Sequence, residues 1–527
     1  MTQSATSAYG PFRSRNFRML WIGGAAFYIG NAMQLTAAAW LVTETTHSPF
    51  LSALAQTAAY FPMFALSLPA GVLADTKDRR TLILNALYVY IAAAWLLGAL
   101  ASTRVGGPAV LLGLVTLMGA ANALQSPAWR SAVTDSVPRP DLPQAVTLAS
   151  IAFNGARVVG PALAGAMFSI ASGGLVFALS GVAAMVMAVL IIRSPPSRHP
   201  ASKLPVERLW SGMRSGMRYV RHSDIARAPL IHCSAFNLAG SALWALLPAI
   251  ALQRLAMEAS GYGMLLGCLG IGAVATGLAM ARLRAMASTG AMLVGCSFLF
   301  AMATLVTALT TNHAAVYAAL VGGGASWLAS LSSLNAIVQT GAPAWVRARA
   351  LAIFTVFTLG SFSLGSALWG ALSLVVGITP TLMIAGGLLL LTALLPRWIP
   401  LRMGGDKDVT LAEGWGDVEV AEHPATDAGP VAVEIVYCVE TGNAQAFLDT
   451  LVRLREPRRR DGATLWRAYR DLSDPTRFVE RFIVSSWGHY LRQRAHATVA
   501  DQEIEHQVRG FQAAGREIAT RHYIAER

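Results

Sequence analysis

Long apolar runs separated by short polar knots dominate the chain as far as Pro396. Glu44 is the one Asp, Glu, Lys or Arg between Met19 and Ala74, and none occurs from Thr81 to Thr103. Between those two runs, "GVLADTKDRR" (71–80) packs Asp75, Lys77, Asp78, Arg79 and Arg80 into six positions. A membrane-crossing helix needs about 20 apolar residues. Cutting at charges and at Gly/Pro clusters predicts twelve such helices, near 18–43, 50–74, 82–103, 107–133, 142–169, 173–193, 228–253, 259–281, 287–310, 314–338, 347–376 and 379–396. The fold class expected is therefore an all-α polytopic membrane protein followed by a smaller α+β region.

The first six segments repeat in the second six. "VPRPDLPQAVTLASIAFNGARVVGPALAG" (137–165) aligns with "APAWVRARALAIFTVFTLGSFSLGSALWG" (342–370) at a constant offset of 205, pairing Pro138 with Pro343, Gly155 with Gly360, Gly160 with Gly365 and Gly165 with Gly370. Two copies of a six-helix unit, 1–193 and 228–401, are expected, with a substrate path at their interface near mid-membrane. The connection 194–227 differs from the others. In "ERLWSGMRSGMRYVRHS", Leu209, Met213 and Met217 recur every four residues beside Arg214, Arg218 and Arg221, which reads as a basic amphipathic helix on a membrane surface.

After Arg402 the texture changes. Residues 402–430 form a polar, acidic linker, and 431–527 read as a compact soluble region. "VAVEIVYCV" (431–439) alternates like a strand, "AQAFLDTLVRLREPRRR" is helical as far as Pro457, "ATLWRAYRDL" and "RFVERFIVSSW" are strands, 489–512 is helical, and "IATRHYIA" closes as a strand. The order β-α-β-β-α-β predicts a ferredoxin-like α+β domain.

Charge sharpens this picture. Only 13% of residues are charged, against about 25% in soluble proteins. Residues 1–401 hold 24 basic and 8 acidic residues, a balance of +16, whereas 402–527 hold 17 and 20, a balance of −3. The basic excess sits between apolar runs, which excludes nucleic acid as the partner and points to membrane orientation. Alternate connections carry Arg13, Arg15 and Arg18, then Lys77, Arg79 and Arg80, then Arg139, then the 194–227 segment, Arg282 and Arg284, Arg347 and Arg349, and Arg397 and Arg402. The opposite connections carry Arg104 and Arg254 alone. The positive-inside rule places both termini in the cytoplasm. The four cysteines (233, 268, 296 and 438) form no CxxC pair, so neither a disulfide framework nor a metal site is expected. The first apolar run is too long for a cleaved signal core.

Three motifs carry a resemblance. The pattern GxLADxxxRR, through Gly71, Leu73, Asp75, Arg79 and Arg80, resembles the signature loop of the major facilitator superfamily, although Thr76 and Asp78 depart from it. "GARVVGPALAG" (155–165) resembles the antiporter motif of exporters in that superfamily, through Gly160, Pro161 and Gly165. "NALQSPAW" with 137–154 and 334–352 looks like the subgroup of the enterobactin exporter, the transmembrane secretion effectors. The resemblance implies a secondary transporter, not an enzyme, that exports a small amphipathic compound, siderophore-like or drug-like, against a proton gradient in a bacterial-type inner membrane, with no bound cofactor. It implies a conformational gate at Gly71, Asp75, Arg79 and Arg80. The second-half turn "AMARLRAMAS" keeps Arg282 and Arg284 but has no Asp.

Arg157 stands out, because a charge that deep faces a cavity or a partner, or snorkels to the surface. Cavity candidates are Asn31, Gln34, Gln56, Asn122, Gln125, Asn154, Asn237, Asn335 and Gln339, with Trp244, Trp327 and Trp369 as aromatic walls or lipid anchors. No acid falls at mid-membrane, so the proton carrier is assigned to Asp75 or Glu44. In the tail, 478–498 resembles the dimeric α+β barrels of the antibiotic-biosynthesis monooxygenase type, with Trp487, His489, Arg492 and His496 around a candidate site and a homodimer as a consequence. The partners expected are membrane lipid and a small-molecule substrate. The rival readings are an importer of the same fold and a membrane-anchored enzyme whose tail oxidises a small molecule.

Overall fold

The computed structural model describes residues 10–103, 105–170, 173–195, 209–343, 345–412, 420 and 422–526. Arg104, most of the acidic linker and the first part of the 194–227 connection lie outside them, as do the side chains of Asp75, Arg139, Leu209 and Met213. The chain divides into two compact units. One comprises Met1–Lys203, His232–Ser333 and Thr355–Pro400, the other Leu204–Ile231, Leu334–Phe354 and Leu401–Arg527.

The long helices begin and end where the polar knots fall. They are α1 (Arg15–Thr46), α2 (Pro49–Thr76), α3 (Arg79–Thr103), α4 (Pro108–Asp135), α5 (Leu142–Ile170), α6 (Gly173–Arg193), the short α7 (Leu209–Arg221), α8 (Asp224–Ala249), α9 (Ala259–Met286), α10 (Thr289–Leu309), α11 (His313–Gly341), α12 (Arg347–Val376) and α13 (Ile378–Thr392). Ser14, Ser48 and Ser288 accept the backbone N–H of Phe17, Leu51 and Ala291 and cap α1, α2 and α10. Pro49 and Pro108 sit in first turns, where a missing N–H costs nothing.

Among the described residues, eleven helical stretches are long and apolar enough to cross a membrane. The first expected segment is not one of them. Its helix, α1, spans 32 residues, but Asn16, Asn31, Gln34 and the polar run from Thr43 to Thr46 dilute its hydropathy. The last segment is also modified: α13 stops at Thr392, and a separate turn, α14 (Leu395–Trp398), follows with Pro396 in its first turn.

Within the first unit, α1–α6 pack as one half, α1 against α5 and α6, α2 against α4, and α3 against α4 and α6. Phe17, Phe27, Leu87, Tyr90 and Phe177 fill its core. Phe236, Leu246, Leu265, Phe300, Trp327 and Leu382 fill the other. Small residues set the helix spacing there. A Cβ added to Gly272 would fall 1.8 Å from the Val321 carbonyl oxygen, and one added to Gly324 would fall 1.8 Å from that of Leu269. Helices α9 and α11 therefore touch backbone to backbone, as membrane helices with small interface residues do.

The second unit contains α7, α15 (Asp406–Val409) and the tail. The tail runs β1 (Val431–Cys438), α16 (Ala444–Val452), α17 (Arg455–Arg460), β2 (Ala463–Arg470), β3 (Arg477–Val484), α18 (Trp487–His496), α19 (Val499–Arg509) and β4 (Ala519–Ile524). Its four strands form one sheet in the order β2-β3-β1-β4, every pairing antiparallel. The helix expected up to Pro457 breaks earlier, after Val452, and Pro457 sits inside the first turn of α17, where its ring is tolerated.

Candidate functional site

The charge knot is a two-residue turn between α2 and α3. Asp78 opens α3 by accepting from the Thr81 amide and hydroxyl at 2.8 and 2.6 Å. These bonds lower its pKa below the usual carboxylate value. Arg79 pairs with Asp135 at the end of α4 and also reaches the Ala74 carbonyl. Arg80 donates to the Ile192 carbonyl at the end of α6. Both cations thus bind groups of their own half. A Cβ added to Gly71 or to Gly155 would meet nothing within 4 Å, so no other helix approaches closely at either position in this arrangement.

The two halves meet instead toward the opposite face, that of the 46–49 and 254–259 connections. Gln253 donates to the His47 carbonyl at 2.8 Å, and Thr57 to the Ser363 carbonyl at 3.2 Å. Trp40 stacks on Tyr262 at 5.8 Å, and Tyr60 meets Phe362 edge-on at 5.2 Å. The helix 5 motif lies in this seam. A Cβ on Gly165 would sit 3.0 Å from the Cα of Gly263, and one on Gly160 would sit 2.5 Å from the Cβ of Ala32, so α5 is clamped between α9 and α1. Pro161 is buried between them. These hydrogen bonds, ring pairs and close approaches extend from the 46–49 and 254–259 loops as far as Phe64, Arg157 and Gly360.

Arg157 occupies this boundary. It is the sixteenth of 29 residues in α5. It is exposed, and its guanidinium carbon lies 6.0 Å from the ring centroid of Trp244 on α8, in the other half. The Trp244 indole N–H is buried and has no acceptor. Behind Trp244 stands an aromatic wall, with Trp327 at 5.6 Å from Trp244 and Phe362 at 5.9 Å from Trp327. Trp327 and Trp369 are both buried, and Trp369 donates to the Leu238 carbonyl at 2.6 Å. They are interior residues and do not anchor to lipid.

The amide candidates differ in their partners and burial. Asn31 accepts from Tyr90 at 3.3 Å, Asn154 donates to the Ser150 carbonyl at 2.9 Å, and Asn237 donates to the Cys233 sulfur at 3.0 Å. Gln34, Gln125 and Asn237 are buried, and each keeps one polar atom without a partner. Gln125 and Asn122 bond to each other at 3.3 Å and line a small pocket with Tyr28 and Trp129. Gln56 is half-buried, and Asn335 and Gln339 are exposed near the end of α11. Glu44 is exposed at the end of α1. No cluster of metal-ligating side chains occurs among the described residues.

In the second unit, the tail candidates are not gathered into one site. Trp487 is in the tail core, His489 bonds Ser486 at 3.0 Å, Arg492 is exposed, and His496 stacks flat on Trp345 at 3.9 Å and 4°. Helix α7 contacts the tail as well. Arg218 donates to the Arg460 carbonyl at 3.2 Å, His222 meets Glu456 at 2.8 Å, and Tyr219 and Val220 are buried. Of the apolar stripe expected on α7, Met217 is 49% exposed, and the side chains of Leu209 and Met213 lie outside the described residues.

A buried ion network in the tail was missed by the sequence reading. Glu480 is fully buried on β3 and accepts from Arg458 at 3.2 Å, from the Trp466 indole at 2.9 Å and from the Tyr437 hydroxyl at 3.2 Å. Burial lowers the pKa of the Arg458 guanidinium, but the Glu480 and Glu505 carboxylates outweigh it and hold the group charged. Period-two alternation contained the signal: Glu480 falls on the same strand face as Phe478 and Phe482.

The chain matches the family described as transmembrane secretion effector over residues 6–527. Among solved structures it resembles a bacterial homologue of the human lysosomal transporter Spinster in an inward-facing, unoccupied conformation, at 16% identity and a TM-score of 0.57, covering 73% of this chain and 95% of that one. It also resembles the nucleoside transporter NupG, at 11% identity and a TM-score of 0.58, covering 73% and 99%. A third likeness is to a POT family transporter in complex with a thioalcohol-conjugated peptide, at 11% identity and a TM-score of 0.60, covering 73% and 97%. No curated protein matches the chain. With eleven apolar helices of membrane-crossing length among the described residues, two helical halves meeting in a seam and a family match over nearly its whole length, the chain belongs to the transmembrane secretion effectors and is a multi-pass membrane transporter of the major facilitator type.

Proposed function

We propose that this transporter exports a small amphipathic molecule, siderophore-like or drug-like, by alternating access in exchange for protons. The observation that carries the reading is the seam between the halves, joined toward the 46–49 and 254–259 loops and leaving Gly71 and Gly155 facing open space. If the basic connections are cytoplasmic, this is the cytoplasm-open state of an exporter waiting to load. The secretion named by the family and the tight packing of Gly160 and Gly165 support the outward direction. Helix α1 serves as the twelfth span, since its place between α5 and α6 buries one side of it fully. Both termini are then cytoplasmic in a bacterial-type inner membrane. Proton-driven flux into inside-out vesicles tests the reading.

In the opposite state, the end of α2 would close against the second half. Gly71 admits the close approach, Asp75 accepts from a helix N-terminus, and Arg79 and Arg80 hold the turn against α4 and α6. A carboxylate at a helix N-terminus contributes up to about 2 kcal/mol. Asp75→Asn is therefore expected to lower export several-fold at unchanged expression. Flux equal to the unsubstituted protein would leave the stretch with a topological role alone. Asp75 and Glu44 remain the proposed proton carriers.

The tail is proposed to be a ferredoxin-like cap, related to the monooxygenase-type α+β barrels, that regulates the transporter or pairs it into homodimers. Its sheet order supports this assignment, and the scattering of Trp487, His489, Arg492 and His496 favours a cap over a catalyst.

A further inference from the structure

We infer that Arg157 and Trp244 together form an anion site, and that the transported molecule is an organic acid carrying a flat apolar body. This rests on the transport reading above and names the chemistry of its substrate.

Three observations converge on the site. First, Arg157 is the one charged residue more than ten positions from both ends of its helix among the spanning helices. A guanidinium at that depth is costly to insert and is kept where it has a function. Second, no carboxylate among the described residues pairs with it. The acids of the first unit, Glu44, Asp75, Asp78, Asp135, Asp141 and Glu258, all lie at helix ends or in turns. The end of the seam that Arg157 marks is therefore positive, so it attracts anions and repels cations. Third, the neighbouring group is also a donor without an acceptor. The Trp244 indole N–H is buried and unpartnered, beside a guanidinium that makes a ring contact with that same tryptophan.

An exposed guanidinium and a buried indole N–H without a partner, in contact through one tryptophan, can share one acceptor. A carboxylate or sulfonate fits both, taking a forked bond from the guanidinium and a single bond from the indole. The rest of such a ligand meets rings, since Tyr60 and Phe362 are half-buried beside the Trp244–Trp327 wall. The site also draws on both halves, with Arg157 on α5 and Trp244 on α8, so an anion bound there bridges the two parts that move apart or together in transport.

The test is binding of a matched series to the purified full-length protein in detergent by titration calorimetry: 2-naphthoate, the neutral 2-naphthamide and the cationic 2-naphthylmethylammonium. Charge-assisted hydrogen bonds are worth about 1.5–3 kcal/mol, so naphthoate is expected to bind at least about tenfold more tightly than the amide, with the ammonium weakest. Arg157→Gln is expected to remove the preference, Arg157→Lys to keep it in weaker form, and Trp244→Phe to weaken naphthoate alone. Naphthoate affinity unchanged in Arg157→Gln, an ammonium bound as tightly as the acid, or no binding of any probe would overturn the inference. Proton-driven flux is a separate readout. No preference for the acid in the unsubstituted protein, with flux intact, sinks this inference alone, and anion preference without flux sinks the export reading alone.

Discussion

Glu480→Ala is expected to destabilise the tail by about 3–5 kcal/mol, the usual cost of removing one partner from a buried charge network. Three groups lose their acceptor at once: the Arg458 guanidinium, the Trp466 indole and the Tyr437 hydroxyl. Glu505 still holds Arg458 at 3.4 Å, but from one side only. The interior cannot collapse around the gap, because Phe478 and Phe482 flank position 480 on the same strand face. Limited proteolysis of the full-length protein should cut within 431–527 far faster in the variant, and hydrogen exchange in β1 and β3 should rise. Protection equal to that of the unsubstituted protein would mean that the network contributes little. Glu480→Gln, which can still accept from the indole and the hydroxyl, should fall between the two.

Arg157→Ala is expected to reduce transport below about a tenth while expression and solubility in detergent stay normal. The argument for normal folding is that Arg157 is exposed and has no ion-pair partner among the described residues, so its removal leaves no buried charge behind. The argument for lost transport is its position at the inner limit of the seam, against Trp244 of the other half. Deleting a charged hydrogen-bonding group costs about 1.5–3 kcal/mol, or roughly 10- to 100-fold. Flux at the level of the unsubstituted protein would assign Arg157 to passive snorkelling instead.

Much of the architecture is legible in the chain because the membrane imposes a strong rule. Backbone groups must be satisfied within each segment, so apolar runs become helices and the knots between them become turns. Asp78 and the serines at 14, 48 and 288 stand where caps are needed. The 205-residue offset reads two halves from Gly160, Gly165 and their counterparts, and Gly165 does sit where the halves touch. Helix α1 shows the limit of hydropathy. Some of its polar residues meet neighbouring helices, as Asn31 does in accepting from Tyr90, and others turn their hydroxyls back onto carbonyls of α1 itself, as Thr36 and Thr43 do, neither of which a residue-by-residue scale counts. The site was half legible. A lone Arg157 signals function by its cost, but nothing in the sequence says that Trp244, 87 positions later, lies across from it. Tail residues were harder still. Trp487, His489, Arg492 and His496 look alike as polar or aromatic site formers, yet α18 turns them in different directions, one into the core and one onto Trp345.

The central claim is proton-driven export, and flux in inside-out vesicles loaded with the full-length protein tests it most directly. With the lumen acidified, vesicles should accumulate an amphipathic siderophore-like or drug-like compound, lose that accumulation when an ionophore collapses the gradient, and accumulate less than about a tenth as much with Arg157→Ala. Absence of gradient-dependent accumulation for every such compound tried, in vesicles that retain the folded protein, would contradict the account.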